Sequence, residues 1–140
     1  MEKYNLFLDD IRDPKDCCHY MKPVQLYWYT DFIIVRNYDA FVKLITERYN
    51  NGSFPELVSF DHDLADEHYA PENVWHKYDE WAEEKGFKEK TGYDCAKWLV
   101  DFCMENKLPL PNYIVHSMNV TGAKNITSYL ENYKKHVLQQ

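Results

Sequence analysis

The sequence predicts a doubly wound α/β fold, in which helices cover both faces of a mostly parallel β-sheet. Two observations predict it: four short apolar runs have the length and composition of strands, and segments with helical periodicity lie between them. Such alternation is typical of βαβ units, whose crossover helices pack on the sheet. The chain of 140 residues has the usual size of one domain and is long enough to bury a hydrophobic core.

The four predicted strands are continuous apolar runs rather than alternating ones. They cover residues 4–9, 32–36, 57–60 and 113–116. A strand that is buried on both faces needs apolar side chains on both, whereas a strand with one solvated face alternates. The runs therefore predict a sheet that lies between two helical layers.

Three helices are predicted between and after these strands. The first follows Asp39, which we interpret as its N-cap, and ends before Gly52. The second begins at Thr91, because Thr91 and Asp94 have the spacing of a capping box ahead of an apolar stripe. The last helix presents an apolar face over residues 123–137.

Two segments interrupt the alternation. Residues 13–31 lie where a first crossover helix is expected, but they contain two prolines and an alternating run, so we interpret them as irregular with an extra edge strand. Residues 65–90 form a charged, aromatic insertion in which a helix is predicted from Pro71 to Gly86. Its aromatic side chains fit two interpretations, a lid that stacks on a nucleobase or a face that packs the helix onto the domain. Because no repeat or linker is present, residues 1–140 are predicted to form a single domain.

Composition and charge narrow the classes of partner. The net charge of -7 disfavours binding to duplex DNA, which needs clustered Lys and Arg. No apolar run approaches the roughly 20 residues that span a membrane, and the chain opens on a strand rather than on a signal peptide. The four cysteines show no metal-binding spacing, so a reduced, cytoplasmic protein is the expectation.

Acidic residues follow two of the strands, at the edge where open α/β sheets bind their ligands. Asp9 and Asp10 follow the first strand, and Asp61 and Asp63 follow the third. Carboxylates crowded at one edge repel each other, and they bind a cation or take up protons. Hard oxygen ligands of this kind suit Mg²⁺, and a nearby imidazole lets Mn²⁺ compete. These four acids are the predicted ligands of a divalent metal, Mg²⁺ or Mn²⁺.

Two histidines lie beside these acids. His116 ends the fourth strand and precedes Ser117, and His62 separates the two acids after the third strand. Imidazole titrates near neutrality, so each ring fits proton transfer or metal ligation, and each also fits an ordinary hydrogen-bonded residue. If the third strand continues, its period-two alternation turns His62 away from the side that Asp61 and Asp63 share.

Two predicted helix starts adjoin the same edge. At Thr91 the capping-box pattern favours a structural role, although helix N–H groups beside an acidic cluster also suit a ligand. At Gly122 the backbone N–H groups suit an anion, and the absent side chain permits close approach. Both positions are therefore candidates for phosphate binding.

Four ordered motifs carry a resemblance to a known family. They are residues 6–12 (LFLDDIR), 59–64 (SFDHDL), 91–94 (TGYD) and 116–126 (HSMNVTGAKNI). Together they resemble the cyclic-phosphate-processing receiver-like domains over nearly the whole chain. The resemblance implies a receiver-like (flavodoxin-like) three-layer sandwich that is truncated at the fifth strand, and right-handed crossovers predict its four core strands in the order 2-1-3-4. It also implies a role on cyclic phosphates of nucleotides or RNA ends.

The wider resemblance is to response-regulator receivers, in which an acidic pair after strand one and an Asp after strand three hold Mg²⁺. By position these are Asp9, Asp10 and Asp61, the last of which takes a phosphoryl group in receivers. The sequence departs from receivers in one place. Their fifth strand ends in a Lys that contacts the phosphoryl group, but only one helix follows the fourth strand here. Lys124 and Arg12 are the candidates to replace that Lys.

The leading hypothesis is a metal-dependent phosphoesterase that acts on a small phosphorylated ligand, a cyclic nucleotide or an RNA 2′,3′-cyclic phosphate. In this hypothesis Asp10 and Asp61 hold the ion, and Asp9 positions a metal-bound water. His116 acts as general acid or base, because ring opening must protonate a leaving alkoxide. The remaining predicted substrate-binding positions at this edge contribute polar side chains or, near Gly122, backbone N–H groups: Arg12, Arg36, His62, Thr91, Ser117, Asn119, Gly122 and Asn125.

Two alternatives stay open, a signalling module that is phosphorylated on Asp61 and a non-catalytic protein that sequesters a cyclic nucleotide. Ser117, at the receiver's hydroxyl position, fits the first. The added His116, His62 and Asp63 suit ligand binding or proton transfer that a relay module does not need. Within the leading hypothesis, Asp61 attacks covalently or a water attacks directly, and the sequence leaves both routes open.

Overall fold

The computed structural model describes residues 1–64 and 90–138. In chain order its elements are β1 (Glu2–Leu8), a 3-10 helix (Pro14–His19), α1 (Val24–Tyr29), β2 (Phe32–Val35), α2 (Tyr38–Asn50), β3 (Ser53–Phe60), α3 (Gly92–Asn106), β4 (Asn112–Val115) and α4 (Val120–Leu138). The helix predicted from Pro71 to Gly86 lies outside the described residues. Within the described part of the chain, no helix is both long enough and apolar enough to cross a membrane.

The described strands form one parallel sheet in the order β2-β1-β3-β4. This confirms the predicted α/β fold and the predicted strand order. Leu8 pairs with Val35 on one side and with Phe60 on the other. Phe60 in turn pairs with Val115. The strands therefore end level with one another, and the residues that follow them meet at one edge of the sheet.

Backbone hydrogen bonds extend the sheet one residue beyond the strands. The amide of Asp61 donates to the Leu8 carbonyl at 3.0 Å, and the amide of His116 donates to the Phe60 carbonyl at 2.9 Å. The amide of Asp9 donates to β2 in the same way at 3.2 Å. Because these residues keep the register of the sheet, the alternation of side chains between its faces extends to them.

Side chains on the two faces of the sheet join two separate apolar clusters. Leu6 and Leu8 of β1 belong to the larger cluster, which α2, α3 and α4 cover. Phe7 points the opposite way and belongs to a smaller cluster with Cys17 of the 3-10 helix and Tyr27 of α1. The sheet therefore lies between two layers of helix, as its continuous apolar strands predict.

The segment before β2 differs from the sequence prediction. The extra edge strand predicted within residues 13–31 is wrong, because this segment forms the 3-10 helix and α1. In α1, Tyr27 is 1% exposed and packs edge-on against Phe7, with ring centroids 6.4 Å apart. A helix places this side chain over the face of the sheet, whereas a strand at the sheet edge would leave Phe7 uncovered. The burial of Phe7 therefore overrides the local alternating pattern.

The helix caps agree with the sequence prediction at α3 but not at α2. Thr91 and Asp94 form the predicted capping box, in which each side chain bonds to the backbone amide of the other residue. At α2 the predicted cap Asp39 is wrong. Asn37 is the N-cap, since its backbone is extended and its side chain accepts from the Ala40 amide at 2.8 Å.

Candidate active site

Three buried polar side chains converge at the carboxyl edge of the sheet. Asp9 follows β1, Asp61 follows β3 and His116 follows β4, and each is at most 2% exposed. One ligand atom from each lies within 4.8 Å of the other two. The register of the sheet explains the convergence. Asp61 and His116 are level with Asp9 on neighbouring strands, so all three side chains point to the same face of the sheet, the face that carries Phe7. Together they form a compact set of two carboxylates and one imidazole.

Asp9 is held by hydrogen bonds to both of its carboxylate oxygens. Its Oδ1 accepts from the backbone amides of Ile11 at 3.0 Å and Arg12 at 2.9 Å. Its Oδ2 lies 3.0 Å from His116 Nε2 and 3.5 Å from the Arg12 guanidinium. Burial raises the pKa of Asp9, but the hydrogen bonds outweigh burial and lower the pKa to about 2. Asp9 is therefore ionised at neutral pH and only accepts hydrogen bonds.

Asp61 is less well satisfied than Asp9. Its Oδ1 accepts from the His62 amide at 2.9 Å, but its Oδ2 is buried and has no hydrogen-bond partner within the described residues. Burial, and then the negative charge of Asp9, raise the pKa of Asp61 to about 8. A buried, unpaired carboxylate is unfavourable, and binding a cation or a proton relieves it. The Oδ2 atom of Asp61 is thus the point of the site that requires a ligand or a proton.

The start of α3 packs directly on the backbone of Asp61. The Gly92 amide donates to the His62 carbonyl at 2.8 Å. A Cβ atom at Gly92 would lie 1.6 Å from the carbonyl oxygen of Asp61, which is closer than two such atoms can approach. Glycine is therefore required at this position, and the contact fixes Asp61 against α3.

The His116 ring is fixed at two edges and on one face. Its Nδ1 lies 2.7 Å from Ser59 Oγ, and its Nε2 lies 3.0 Å from Asp9 Oδ2. The ring stacks on Phe7 with centroids 4.5 Å apart, and the Tyr20 hydroxyl donates to the His116 carbonyl at 2.8 Å. Burial lowers the pKa of His116 and outweighs the hydrogen bond to Asp9, which raises it. The ring is therefore neutral at neutral pH.

A second buried polar group, the His62 cluster, consists of His62, Asp63 and Asn119. His62 Nδ1 lies 2.8 Å from Asp63 Oδ1, and the Asn119 side-chain nitrogen lies 3.4 Å from both atoms. Asn119 Oδ1 also accepts from the Gly122 amide at 2.9 Å. A Cβ atom at Gly122 would lie 2.4 Å from His62 Cγ. The close approach that Gly122 permits is therefore that of the His62 ring, which joins the end of β3 to the start of α4.

Two arginines lie beside the site and differ in their contacts. The Arg12 guanidinium is partly exposed and lies 3.5 Å from Asp9 Oδ2 and 3.4 Å from Met118 Sδ. Arg36 instead donates to the Arg12 carbonyl at 2.8 Å and to the Asp13 carboxylate at 2.8 Å. Arg12 thus keeps part of its guanidinium exposed beside Asp9, whereas Arg36 braces the loop that carries Arg12.

Comparison with known proteins adds a family to this geometry. The family model of the cyclic-phosphate processing Receiver domain matches residues 4–132. The chain belongs to this family. Comparison with curated proteins gave no match, and comparison with solved structures gave none either. The family agrees with the resemblance that the four sequence motifs carry and with the parallel sheet of order 2-1-3-4.

In this receiver domain the predicted metal ligands divide into two pairs. Asp9 and Asp61 belong to the three-residue set with His116. Asp10 is half-buried and lies outside that set, and Asp63 bonds within the His62 cluster. If β3 continued past Phe60, its alternation would turn the His62 side chain away from the side of Asp61 and Asp63. Because β3 ends at Phe60, this expectation does not apply, and the side chains of His62 and Asp63 bond to each other.

The predicted phosphate-binding residues of the receiver domain do not form one cluster, and several of them have structural contacts. Ser117 Oγ accepts from the Asn119 amide at 3.1 Å, and the Thr91 side chain caps α3. Asn125 is exposed on α4, beyond the first turn of that helix. The Gly122 amide, predicted to bind an anion, already donates to Asn119. An anion could take that amide only by displacing the Asn119 side chain.

Sequence reasoning misses two residues of the site, Ser59 and Tyr27. Ser59 Oγ lies between His116 Nδ1 at 2.7 Å and the Tyr27 hydroxyl at 2.9 Å. The sequence does contain a signal for Ser59, because it is a polar residue in an apolar strand and lies on the same face as Asp61, two residues later. It contains none for Tyr27, since a segment interpreted as irregular has no predicted face.

Proposed function

We propose that this protein is a divalent-metal-dependent phosphoesterase that acts on a cyclic phosphate of a nucleotide or an RNA end. One observation carries the proposal. The buried Oδ2 of Asp61 has no hydrogen-bond partner within the described residues and lies in one set with the Asp9 carboxylate and the His116 imidazole. The family match supports the substrate class, since the family is that of the cyclic-phosphate processing Receiver domain.

The donor set fits a divalent metal. Two carboxylates in such proximity repel each other, and the pKa of about 8 for Asp61 reflects its burial and that repulsion. A bound cation would replace the proton that Asp61 otherwise holds. Carboxylate oxygens with one imidazole nearby suit Mg²⁺ or Mn²⁺. Asp61 and Asp9 would hold the ion, with Asp10 and Asp63 as the neighbouring acids of the predicted ligand set.

The ion and the protein would divide the chemistry between them. A bound divalent ion supplies positive charge that stabilises the phosphoryl oxygens and makes water more acidic. The protein's own residues handle the proton. His116 Nε2 shares a hydrogen with Asp9 Oδ2 across 3.0 Å. Opening a cyclic phosphate by water releases a proton from the attacking water and leaves an alkoxide that must be protonated, and we propose that this pair takes up the first proton and returns it to the alkoxide.

Arg12 is the residue that we propose for the first contact with phosphate. Its guanidinium lies 3.5 Å from Asp9 Oδ2 and is partly exposed, whereas the Asp9 carboxylate is buried. A phosphate competes for this guanidinium through charge-assisted hydrogen bonds. Ile11, the preceding residue, is 69% exposed, and Met118, in contact with the guanidinium, is 58% exposed. These apolar side chains suit the base or ribose of a nucleotide.

A second candidate function is a signalling receiver that is phosphorylated on Asp61. The same unpartnered Oδ2 favours it, because a phosphoryl acceptor needs a carboxylate oxygen that is not committed to another bond. The resemblance to response-regulator receivers supports it as well. A third candidate, a protein that binds a cyclic nucleotide without cleaving it, would use the same phosphate contacts but leave the ligand intact.

The experiment incubates purified protein with 2′,3′-cyclic, 3′,5′-cyclic and oligomeric cyclic nucleotides in Mg²⁺ or Mn²⁺, and separates the products by chromatography. Asp61→Asn is the inactive variant, and Asp101→Asn, an exposed acid on α3, is the matched control. Turnover by the wild type and by Asp101→Asn, but not by Asp61→Asn, supports the proposal. Incubation with acetyl phosphate and measurement of intact mass separates the alternatives. One added phosphoryl group without turnover favours the signalling receiver, and tight binding without product favours the non-catalytic protein.

A further inference from the structure

A buried series of hydrogen bonds leads from α1 to the candidate site. The Tyr27 hydroxyl lies 2.9 Å from Ser59 Oγ, which lies 2.7 Å from His116 Nδ1. On the other edge of the ring, His116 Nε2 lies 3.0 Å from Asp9 Oδ2. All four side chains are at most 1% exposed. The proposed reaction uses neither Tyr27 nor Ser59, so their part in this series needs its own explanation.

The contacts at the two ends of the series determine which group donates each hydrogen. Asp9 Oδ1 accepts from two backbone amides and Oδ2 also faces the Arg12 guanidinium, so the carboxylate accepts and His116 Nε2 donates to it. At the other end, the buried Tyr27 hydroxyl has Ser59 Oγ as its partner within the described residues and donates to it. The Ser59 hydroxyl then donates its own hydrogen to Nδ1 of the ring. Each bond in the series thus has one possible donor.

The order of contacts is similar to that of a Ser-His-Asp triad, but Ser59 is not placed as a nucleophile. Its side chain is fully buried in β3, and its Oγ also bonds to the Tyr27 hydroxyl. A nucleophile must reach the substrate, whereas Ser59 lies inside the series, and the end of the series nearest the Asp61 carboxylate is Asp9. The series of hydrogen bonds therefore ends by holding the Asp9 carboxylate in place.

Stacking alone does not orient the His116 ring. Phe7 covers one face of the ring at a centroid distance of 4.5 Å and an interplanar angle of 5°. Rotation of the ring by half a turn about its Cβ–Cγ bond preserves that stack, but it moves both nitrogens away from their partners. Hydrogen bonds to Ser59 and Asp9, at two edges of the ring, select one of the two orientations.

We propose that Tyr27 and Ser59 are positioning residues for His116. They hold its ring in one orientation and in the tautomer that carries hydrogen on Nε2. Through that hydrogen the ring fixes the Asp9 carboxylate beside Asp61. The orientation and the tautomer are independent of the proposed function, and only the effect on metal binding and turnover rests on it.

The first test is the ring-nitrogen NMR spectrum of His116 in ¹⁵N-labelled, metal-free protein at neutral pH. His116→Gln removes one set of signals and so assigns them. In the wild type we expect hydrogen on Nε2 and an Nδ1 signal that is shifted by an accepted hydrogen bond. Ser59→Ala should move the Nδ1 signal toward that of an unbonded ring nitrogen. Tyr27→Phe should move it in the same direction by less, because Ser59 still donates.

Tyr20→Phe is the matched control for this spectrum. It removes a hydroxyl that donates to the His116 carbonyl and leaves both ring nitrogens with their partners, so the ring signals should stay in place. Hydrogen on Nδ1 in the wild type, or an Nδ1 signal that Ser59→Ala does not move, overturns the proposal. If Ser59→Ala does not fold, the wild type and Tyr27→Phe provide the test. Hydrogen on Nε2 in the wild type and an Nδ1 signal that moves in Tyr27→Phe support the proposal, and either result failing overturns it.

The second test is titration of the same proteins with Mg²⁺ and Mn²⁺. Ser59→Ala should weaken binding about 3- to 10-fold, which is the scale of one lost hydrogen bond. Adding Tyr27→Phe to Ser59→Ala should weaken binding no further, because both hydroxyls act through one series. Unchanged affinity in Ser59→Ala, or additive losses, would contradict the link to Asp9. If the wild type hydrolyses no cyclic phosphate, the proposed function fails while the tautomer result still stands.

Discussion

The Asp9 carboxylate and the His116 imidazole lie 3.0 Å apart at the carboxyl edge of the sheet, although 107 positions separate them in the sequence. Parallel pairing of β1, β3 and β4 brings them together, because the strands end level with one another. Hydrogen bonding keeps Asp9 ionised, with a pKa of about 2, whereas burial keeps the ring neutral. Asp61 completes the set with a pKa raised to about 8.

Divalent metal should raise the melting temperature of the wild type. A ligand that binds only the folded state, present at 100 times its dissociation constant, adds about 2.7 kcal/mol to the free energy of unfolding. Asp61→Asn should lose most of this shift, since it removes the charge that the ion binds. Thermal denaturation in Mg²⁺, Mn²⁺ or a chelator measures it, with Asp101→Asn as the control that keeps the shift. An unchanged wild-type melting curve would mean that the proposed metal site is wrong.

Metal-free wild type should lose stability between about pH 5 and pH 8, relative to Asp61→Asn. The pKa of Asp61 is raised in the folded state to about 8, so over this range the folded protein holds a proton that the unfolded chain has released. The slope from one such group is at most about 1.4 kcal/mol per pH unit. The lowered pKa of Asp9 acts in the opposite sense, and only below about pH 4.

Urea denaturation of both proteins in a chelator, at several pH values, measures this difference. Subtracting the Asp61→Asn profile removes the contribution of the other titrating groups. Two parallel profiles would show that the Asp61 carboxyl titrates normally in the folded protein.

Replacing His116 should reduce turnover of a cyclic phosphate. Positioned acid–base groups contribute about 10²- to 10⁴-fold, and His116→Ala should lose a factor in that range. Because the side chain is fully buried, His116→Gln is the companion variant that leaves a smaller cavity. The melting temperature and the metal response are measured alongside. A fall in turnover that persists at saturating metal supports the proton role, whereas turnover that saturating metal restores would limit His116 to metal binding, as a ligand or through Asp9.

Alanine at Gly92 should destabilise the protein by roughly 1–3 kcal/mol or more, because the added Cβ atom meets the carbonyl oxygen of Asp61 and the backbone must shift. Gly122→Ala should cost about as much, since the Cβ atom meets the root of the His62 side chain. Thr127→Ala, at an exposed position of α4, is the control and should change stability by no more than about 0.5 kcal/mol. Chemical denaturation measures all three. A stable Gly92→Ala protein would contradict the contact between α3 and Asp61.

The periodicity of the sequence is sufficient to predict the sheet and the position of its acids. Continuous apolar runs with helices between them indicate parallel strands, and parallel strands bring together the residues that follow them. Asp9, Asp10, Asp61 and His116 are predicted to lie at one edge on this basis, and in the structure Asp9, Asp61 and His116 form one set that does not include Asp10. The order of the strands is predicted in the same way, from the handedness of the crossovers.

The contacts around these residues depend on tertiary structure that periodicity does not encode. Tyr27 reaches Ser59 only because the segment before β2 folds as a helix over the face of Phe7. Likewise, the sequence predicts that the Gly122 amide binds an anion, but in the structure this amide donates to Asn119 Oδ1. Hydrogen bonds between distant residues decide which polar groups stay unpaired, and a single sequence does not reveal them.

The most direct test of the central claim is to count products by ³¹P NMR. A 2′,3′-cyclic or 3′,5′-cyclic nucleotide is incubated with the protein in Mg²⁺ or Mn²⁺, in parallel with acetyl phosphate and intact mass measurement. The proposed function predicts many equivalents of phosphomonoester per wild-type molecule, and none from Asp61→Asn. No phosphomonoester from the wild type, together with one phosphoryl group on Asp61, would contradict the phosphoesterase and identify a signalling receiver.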